Sequence, residues 1–157
     1  MKIINLIDHP EYIEDVSEIL WKQWHYKKDR WLSLENIIKR TKEIFKSSNG
    51  LPTTLISLKW NILTWTISFI KSDISERKDL FPFVASFYVK KKYRWLWIWK
   101  QLIKSIENIA INNWWNELYL YDDSSIDKLY EKYWYSHLED DKYNWYVYKI
   151  YKKELNK

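Results

Sequence analysis

Apolar positions along this chain follow two rhythms. Alternating or continuous runs rich in β-branched and aromatic residues cover residues 2–7, 53–59, 61–71, 83–89, 117–121 and 144–151, and these predict strands. A three-to-four spacing predicts helices elsewhere. One runs from Pro10 to about His25 with Ile13, Val16, Ile19 and Leu20 on one face, and a second runs from Ser33 through Phe45 with Leu34, Ile37, Ile38, Thr41 and Ile44 as its stripe. A third covers about 98–112, with Leu102, Ile103, Ile106 and Ile109 inward, and a short fourth covers 124–133. Pro10 suits a first helical turn and Ser33 an N-cap. Residues 72–80 read as a polar connection, and Glu139-Asp140-Asp141 as an acidic loop rather than a calcium site. The order β-α-α-β-β-β-α-β-α-β is that of an α/β domain.

Composition changes this picture at specific positions. The chain of 157 residues holds 12 Trp and 1 Gly, where roughly 11 Gly are expected at about 7% usage. Many of the Trp stand where a backbone needs glycine. Trp60 lies between two strand runs at a hairpin turn, Trp114 follows the third helix after Asn112-Asn113, and Trp134 follows the fourth after Lys132-Tyr133. A bulky side chain at φ > 0 is strained. The pattern is that of glycine codons (UGA) written as tryptophan. Trp21, Trp24 and Trp115 sit in apolar or pre-strand contexts and read as true Trp.

The remaining bulk properties set limits. The length suits one domain, 1–157. Zero Cys excludes disulfides and thiolate chemistry and fits a reducing, cytoplasmic location. The opening apolar run, Ile3 to Ile7, meets Asp8, His9 and Pro10 at once, so no signal peptide is expected, and no apolar stretch approaches a membrane span. A net charge of +5 suits an anionic ligand but is weak for nucleic acid.

The candidate chemistry lies after the 83–89 strand, in Tyr93-Arg94-Trp95-Leu96-Trp97-Ile98-Trp99-Lys100-Gln101-Leu102. With glycine restored this is Y-R-G-L-G-I-G-K-Q-L, a strand-to-helix turn whose backbone N–H groups can cradle a pyrophosphate at a helix N-terminus. It is neither a Walker A loop nor a Rossmann fingerprint. Arg94 and positions 97 and 99 then resemble the [R/Q]-x-x-G-x-[G/A] signature of the GNAT superfamily of acyl-CoA-dependent N-acyltransferases. Leu129-Tyr130-Glu131-Lys132-Tyr133-Trp134-Tyr135 is similar to that family's L-Y-x-K-x-G-F ending, and residues 51–56 and 63–68 resemble its early strands.

The resemblance implies a mixed, mostly antiparallel central sheet of about six or seven strands flanked by about four helices. It implies acetyl-CoA as co-substrate, held in a V-shaped gap between the fourth and fifth strands. Phe87, Tyr88 and Val89 would bind pantetheine through their backbone, and Arg94, Trp95, Leu96, Trp97, Ile98, Trp99 and Lys100 the pyrophosphate. Tyr130 matches the general acid that protonates the departing thiolate. No general base is named: the family's frequent strand glutamate is replaced by Ala85 and Ser86, and Asp73, Glu76, Asp79 and Asp122 are candidates by proximity alone. The acceptor pocket would be shaped by residues 25–33 and 72–81. The partner is a small-molecule or peptide amine, with no nucleic acid, membrane or metal expected, and the protein a monomer or homodimer.

Two other readings stand beside these. Lys90, Lys91, Lys92 and Lys100 are either a solvated run or a phosphate-capturing patch, while His9, His25 and His137 show no metal spacing. Taken literally, the Trp-rich basic stretch 90–100 would make a nucleic-acid or membrane-surface binding module instead of an enzyme. Such a surface requires its Trp on one face.

Overall fold

The computed structural model describes residues 1–25, 32–44, 47, 49–74, 76–94, 98–122, 130–132, 135–143 and 146–155. Seven strands form one sheet: β1 (Lys2–Asn5), β2 (Thr53–Lys59), β3 (Ile62–Ile70), β4 (Phe83–Val89), β5 (Glu117–Asp122), β6 (Ser136–Tyr143) and β7 (Tyr146–Glu154), in the spatial order β1-β2-β3-β4-β5-β7-β6. Every neighbouring pair is antiparallel except β4 and β5. Three α-helices are found among the described residues: α1 (Ile13–Leu20), α2 (Leu34–Ile44) and α3 (Ile98–Asn112). This is the mixed, mostly antiparallel α/β architecture expected from the sequence.

The strand pattern sorts side chains to two faces. On one face α1 and α2 bring Val16, Leu20 and Ile37 against Ile4, Ile56, Leu58 and Leu63. On the other, α3 lays Leu102, Ile103, Ile106 and Ala110 over Leu55, Trp65, Ile67, Phe69, Leu118 and Leu120. A register shift between Ser57 and Leu58 lets Leu63 and Trp65, two residues apart, join opposite clusters. Full burial of such aliphatic side chains is worth about 1.5–3 kcal/mol each. The α1–α2 contact is pinned by polar groups: Ser17 Oγ donates to Ile13 O at 2.7 Å and lies 3.0 Å from Thr41 Oγ1.

The ends of α2 and α3 follow from local chemistry. Ser33 Oγ accepts from Asn36 N at 3.2 Å, the expected cap. After α3, Trp114 N donates to Ile111 O and Trp115 N to Ala110 O, both at 3.0 Å, which is a Schellman closure with Trp114 at its left-handed position.

Several expectations are corrected. The first strand stops at Asn5, because residues Leu6–Asp8 and then Pro10–Tyr12 form short 3₁₀ turns. The first helix is therefore shorter, and it ends in a π turn, Trp21–His25. Glu139, Asp140 and Asp141 lie on strand β6 rather than in a loop. The last strand is displaced to Tyr146–Glu154. Of the expected fourth helix only residues 130–132 fall among those described, with Tyr130 and Glu131 helical.

Candidate functional site

The sheet opens between β4 and β5. These parallel strands share one registered pair, Phe83 with Tyr119, and Tyr119 N donates to Pro82 O at 2.9 Å. A parallel ladder normally bonds at even intervals along its length. Here β4 instead follows β3, pairing Tyr88 with Thr66 and Val89 with Trp65. Between Ala85 and Tyr88, the two residues Ser86 and Phe87 oppose Ile67 alone, and Ser86 has φ of 52°. This is a β-bulge, which bends a strand and re-aims its backbone. A non-glycine residue at such a φ costs about 1–3 kcal/mol of strain, a cost characteristic of binding clefts. The backbone of residues 86–89 thus faces a widening gap that β5 does not fill.

At the open end of the gap the chain turns into α3. Lys90 N donates to Thr64 O at 3.0 Å, a 3₁₀ turn covers Lys91–Tyr93, and Arg94 Nε donates to Val89 O at 3.3 Å. The N-terminus of α3 and its partial positive charge follow directly. Of the expected cofactor residues, Phe87, Tyr88 and Val89 lie on β4, Arg94 follows the 3₁₀ turn, and Ile98, Trp99 and Lys100 open α3. Trp95, Leu96 and Trp97 lie outside the described residues. Phe87, Val89, Tyr93 and Trp99 all pack against the α3-side core. Tyr88 points to the other face, where its ring meets Trp24 edge-on at 6.2 Å.

Tyr130 joins the same α3-side core from the β5 side of the gap. It is 8% exposed, and its ring centroid lies 5.4 Å from that of Tyr151. Burial pushes its phenol well above the ordinary tyrosine range, and the charge of Asp122 at the end of β5 adds to this. Such a group keeps its proton at neutral pH. Nearby Tyr135 is fully buried, and its hydroxyl has no hydrogen-bond partner among the described residues.

Among the acidic candidates, Asp79 is engaged. Arg77 Nε and Nη2 donate to its two oxygens at 3.0 and 2.8 Å, which holds the carboxyl below its usual range and makes it a poor base. Arg77 also pairs with Glu139 and, at 3.2 Å, with Asp141, both on β6. The connection between β3 and β4 is thereby tied to the far edge of the sheet, while its Ile74 and Leu80 pack on Phe83, Tyr119 and Ile150. Arg77 carries no sequence signal for this tie, because Glu139 and Asp141 lie more than sixty residues away from it. Of the other expected acceptor segment, 25–33, residues 26–31 lie outside the described set.

The tryptophans divide by backbone. Trp60 and Asn61 form a two-residue hairpin loop with φ of 50° and 59°, and Lys59 pairs with Ile62 across it, as a type I′ turn requires. Trp114 has φ of 65°. Both indoles project into solvent, 85% and 79% exposed. Trp115 is half-buried, packs on the core and meets Phe81 edge-on at 5.8 Å. Trp65 is fully buried, yet its Nε1 and the cross-strand Ser57 Oγ both lack a hydrogen-bond partner among the described residues. Trp60 stands at the end of the sheet where β4 stops and Trp114 at the end where β5 begins. The described tryptophans therefore do not make one face, as a Trp-lined binding surface requires.

Among the described residues no cluster of His, Asp or Glu could hold a metal, and no helix is long and apolar enough to cross a membrane. No protein-family model matches the chain, and no curated protein sequence matches it. Solved structures do. A GNAT-family acetyltransferase of Staphylococcus aureus Mu50 superimposes with a TM-score of 0.74 over 99% of both chains at 15% identity. An aminoglycoside 6′-acetyltransferase type Ii gives 0.76 over 100% of this chain and 99% of its own, also at 15% identity. An aminoglycoside 6′-N-acetyltransferase in complex with coenzyme A gives 0.75 over 100% and 98%, at 12% identity. At these identities the likeness is one of fold, and the fold is GNAT-like.

Proposed function

We propose that this chain, as one domain, is an N-acetyltransferase that moves the acetyl group of acetyl-CoA to a primary amine by direct attack in a ternary complex. The observation that carries the reading is the gap between β4 and β5, closed at Phe83 and Tyr119 and opening beside the bulge at Ser86 toward the N-terminus of α3. Parallel strands part in this way only where something else takes up their backbone groups. In the proposed reaction the residues 87–89 of β4 bind the pantetheine arm through main-chain hydrogen bonds, and residues 94–100 hold the pyrophosphate. The amine nitrogen attacks the thioester carbonyl, the C–S bond breaks, and Tyr130 gives its proton to the departing thiolate. Burial keeps that proton in place at neutral pH, so it is present when sulfur charge develops.

The native residues at 60 and 114 are, in this reading, glycine. Two-residue I′ loops and Schellman closures both select glycine at these backbone angles, and the same substitution extends by motif to 65, 95, 97, 99 and 134. The backbone bond from Tyr135 N to Tyr130 O, at 3.2 Å, spans the same five-residue separation as the one from Trp115 to Ala110. With glycine at 95, 97 and 99 the loop before α3 regains the open backbone that a pyrophosphate needs. The proposed setting is the cytoplasm, and the proposed partner is an amine of low molecular mass or a peptide.

The codons of the gene test the sequence part directly. UGA at 60, 65, 95, 97, 99, 114 and 134 is the expected result, and UGG throughout overturns it. Isothermal titration with acetyl-CoA tests the function. The triple variant W95G/W97G/W99G should bind in the micromolar range and the chain as written much more weakly. Failure of the triple variant to bind removes the enzyme reading.

A further inference from the structure

We propose that the acceptor is an arylalkylamine whose ring, bearing a hydroxyl or N–H group, is held between Trp24 and Tyr88 with Thr66 as its polar contact. The proposal rests on the acetyltransferase reading and adds to it the class of amine. The three residues meet on the face of the sheet opposite α3. Tyr88 lies two residues past the bulge at Ser86 and points away from Phe87 and Val89, which pack on the α3 side. Trp24 reaches it from the π turn after α1 and rests on the α1–α2 core. The two ring planes meet at 76° with centroids 6.2 Å apart, and both residues are half-buried. They form a corner that keeps aromatic surface open beside the wide part of the gap.

Thr66 adds a polar group to this corner. It stands in register with Tyr88 across β3 and β4, so the two side chains are close neighbours on one face. Thr66 is fully buried, and its Oγ1 has no hydrogen-bond partner among the described residues. The next hydroxyl along that face of β3, on Ser68, is bonded to Thr54 Oγ1 at 2.9 Å. An enclosed hydroxyl without a partner is destabilising, and a polar group on a ring laid against Tyr88 would satisfy it. Because Thr66 is enclosed, the ligand has to shift the Tyr88 side chain to reach it. The attacking nitrogen must be neutral, so an aromatic corner suits the ring of the acceptor rather than its reacting end. Two residues of strand, about 6–7 Å, separate Tyr88 from Ser86, so a short alkyl chain would carry the nitrogen from the corner to the bulge. A net charge of +5 opposes acceptors with several ammonium groups.

The test is isothermal titration of the full chain with tyramine, 2-phenylethylamine and spermidine, repeated on W95G/W97G/W99G with coenzyme A present. Tyramine should bind about threefold to tenfold more tightly than 2-phenylethylamine, the worth of one hydrogen bond between uncharged groups, and spermidine more weakly than both. T66V should abolish the preference for tyramine, leave 2-phenylethylamine binding unchanged and melt no lower than the parent chain. W24L should weaken both ring-bearing amines about threefold to tenfold. W24F, which keeps a ring in place, should retain most of the affinity, and it stands in for W24L if that variant does not fold. Equal binding of tyramine and 2-phenylethylamine, tighter binding of spermidine, no binding of either aryl amine at millimolar concentration, or a T66V chain that keeps the preference overturns the proposal. Acetyl-CoA separates this outcome from that of the parent reading. A glycine-restored chain that binds acetyl-CoA but does not discriminate among the amines keeps the acetyltransferase reading and loses the arylalkylamine. One that shows the Thr66-dependent preference but binds no acetyl-CoA loses that reading, and the corner stands as a ring-binding site alone.

Discussion

Tyr119 on β5 stands in register with Phe83 on β4, their ring centroids 5.9 Å apart, and this pair closes one end of a gap whose other end opens on α3. Ile150 and Leu80 pack on the same pair. The closed end is thus a hydrophobic anchor, and the bulge at Ser86 sets where β4 bends away from it. The proposed cofactor path, the proposed acid and the tied β3–β4 connection are all placed relative to this junction.

Replacing Tyr130 by Phe should lower kcat by about 10²-fold or more, the usual worth of a positioned acid, with little change in KM for acetyl-CoA. Burial holds the phenol proton above the ordinary tyrosine range. The alkaline fall in kcat due to this group should accordingly begin only above about pH 10. Steady-state kinetics of the glycine-restored chain across pH checks both points, and a Y130F enzyme of unchanged kcat removes Tyr130 from the mechanism.

W60G and W114G should each stabilise the chain as written by about 1 kcal/mol or more, because each relieves a left-handed non-glycine residue while giving up an indole that is already in water. The sites stand at opposite ends of the sheet, so the gains should add. W115A should do the opposite and cost about 2 kcal/mol, since that ring packs on the core and on Phe81. Urea unfolding of the chain as written, the three single variants and W60G/W114G is the measurement, and a loss of stability in W60G and W114G would contradict the assignment of glycine to these turns.

Glu117 gives the acid-side prediction. Lys152 and then the Tyr119 hydroxyl hold its carboxyl below the usual value of 4.5. A carboxylate whose folded pKa is depressed contributes stability above its unfolded pKa and loses it as pH falls through the folded value. The melting temperature should therefore decline below about pH 4.5, and E117Q should flatten that part of the curve while lowering stability at pH 7. Calorimetry from pH 3 to 7 compares the two slopes.

Arg77→Gln should release the β3–β4 connection from β6. Amide exchange should accelerate in residues 76–80 and 139–141 together, with a stability loss of about 1 kcal/mol that shrinks in 1 M salt. Exchange that rises in one segment alone would mean that the ion pairs do not couple the two.

Much of the architecture was legible because local chemistry and tertiary demand agree. Thr53–Lys59 and Phe83–Val89 are apolar runs that follow proline, and both strands have the expected bounds. Ser33 caps α2 and the three-to-four spacing of α3 is unbroken. β6 was hidden because Glu139, Asp140 and Asp141 disfavour strands in isolation; pairing with β7 and the guanidinium of Arg77 override that preference. The π turn after α1 and the left-handed Ser86 carry no sequence signal, since neither departs from ordinary composition. At the candidate site, the order of Arg94, α3 and Tyr130 was readable from motif. The edge-on contact of Tyr88 with Trp24 was not, since Trp24 comes from the turn after α1.

The acidic row on β6 also governs what the sheet can join. β6 is an outer strand, and free strand edges invite extension by another chain. Laying a second copy alongside would set Glu139, Asp140 and Asp141 against their own counterparts, with Arg77 already engaged on this side. Like charges at ladder spacing repel. Self-assembly through this margin is discouraged by the same residues that secure the β3–β4 connection.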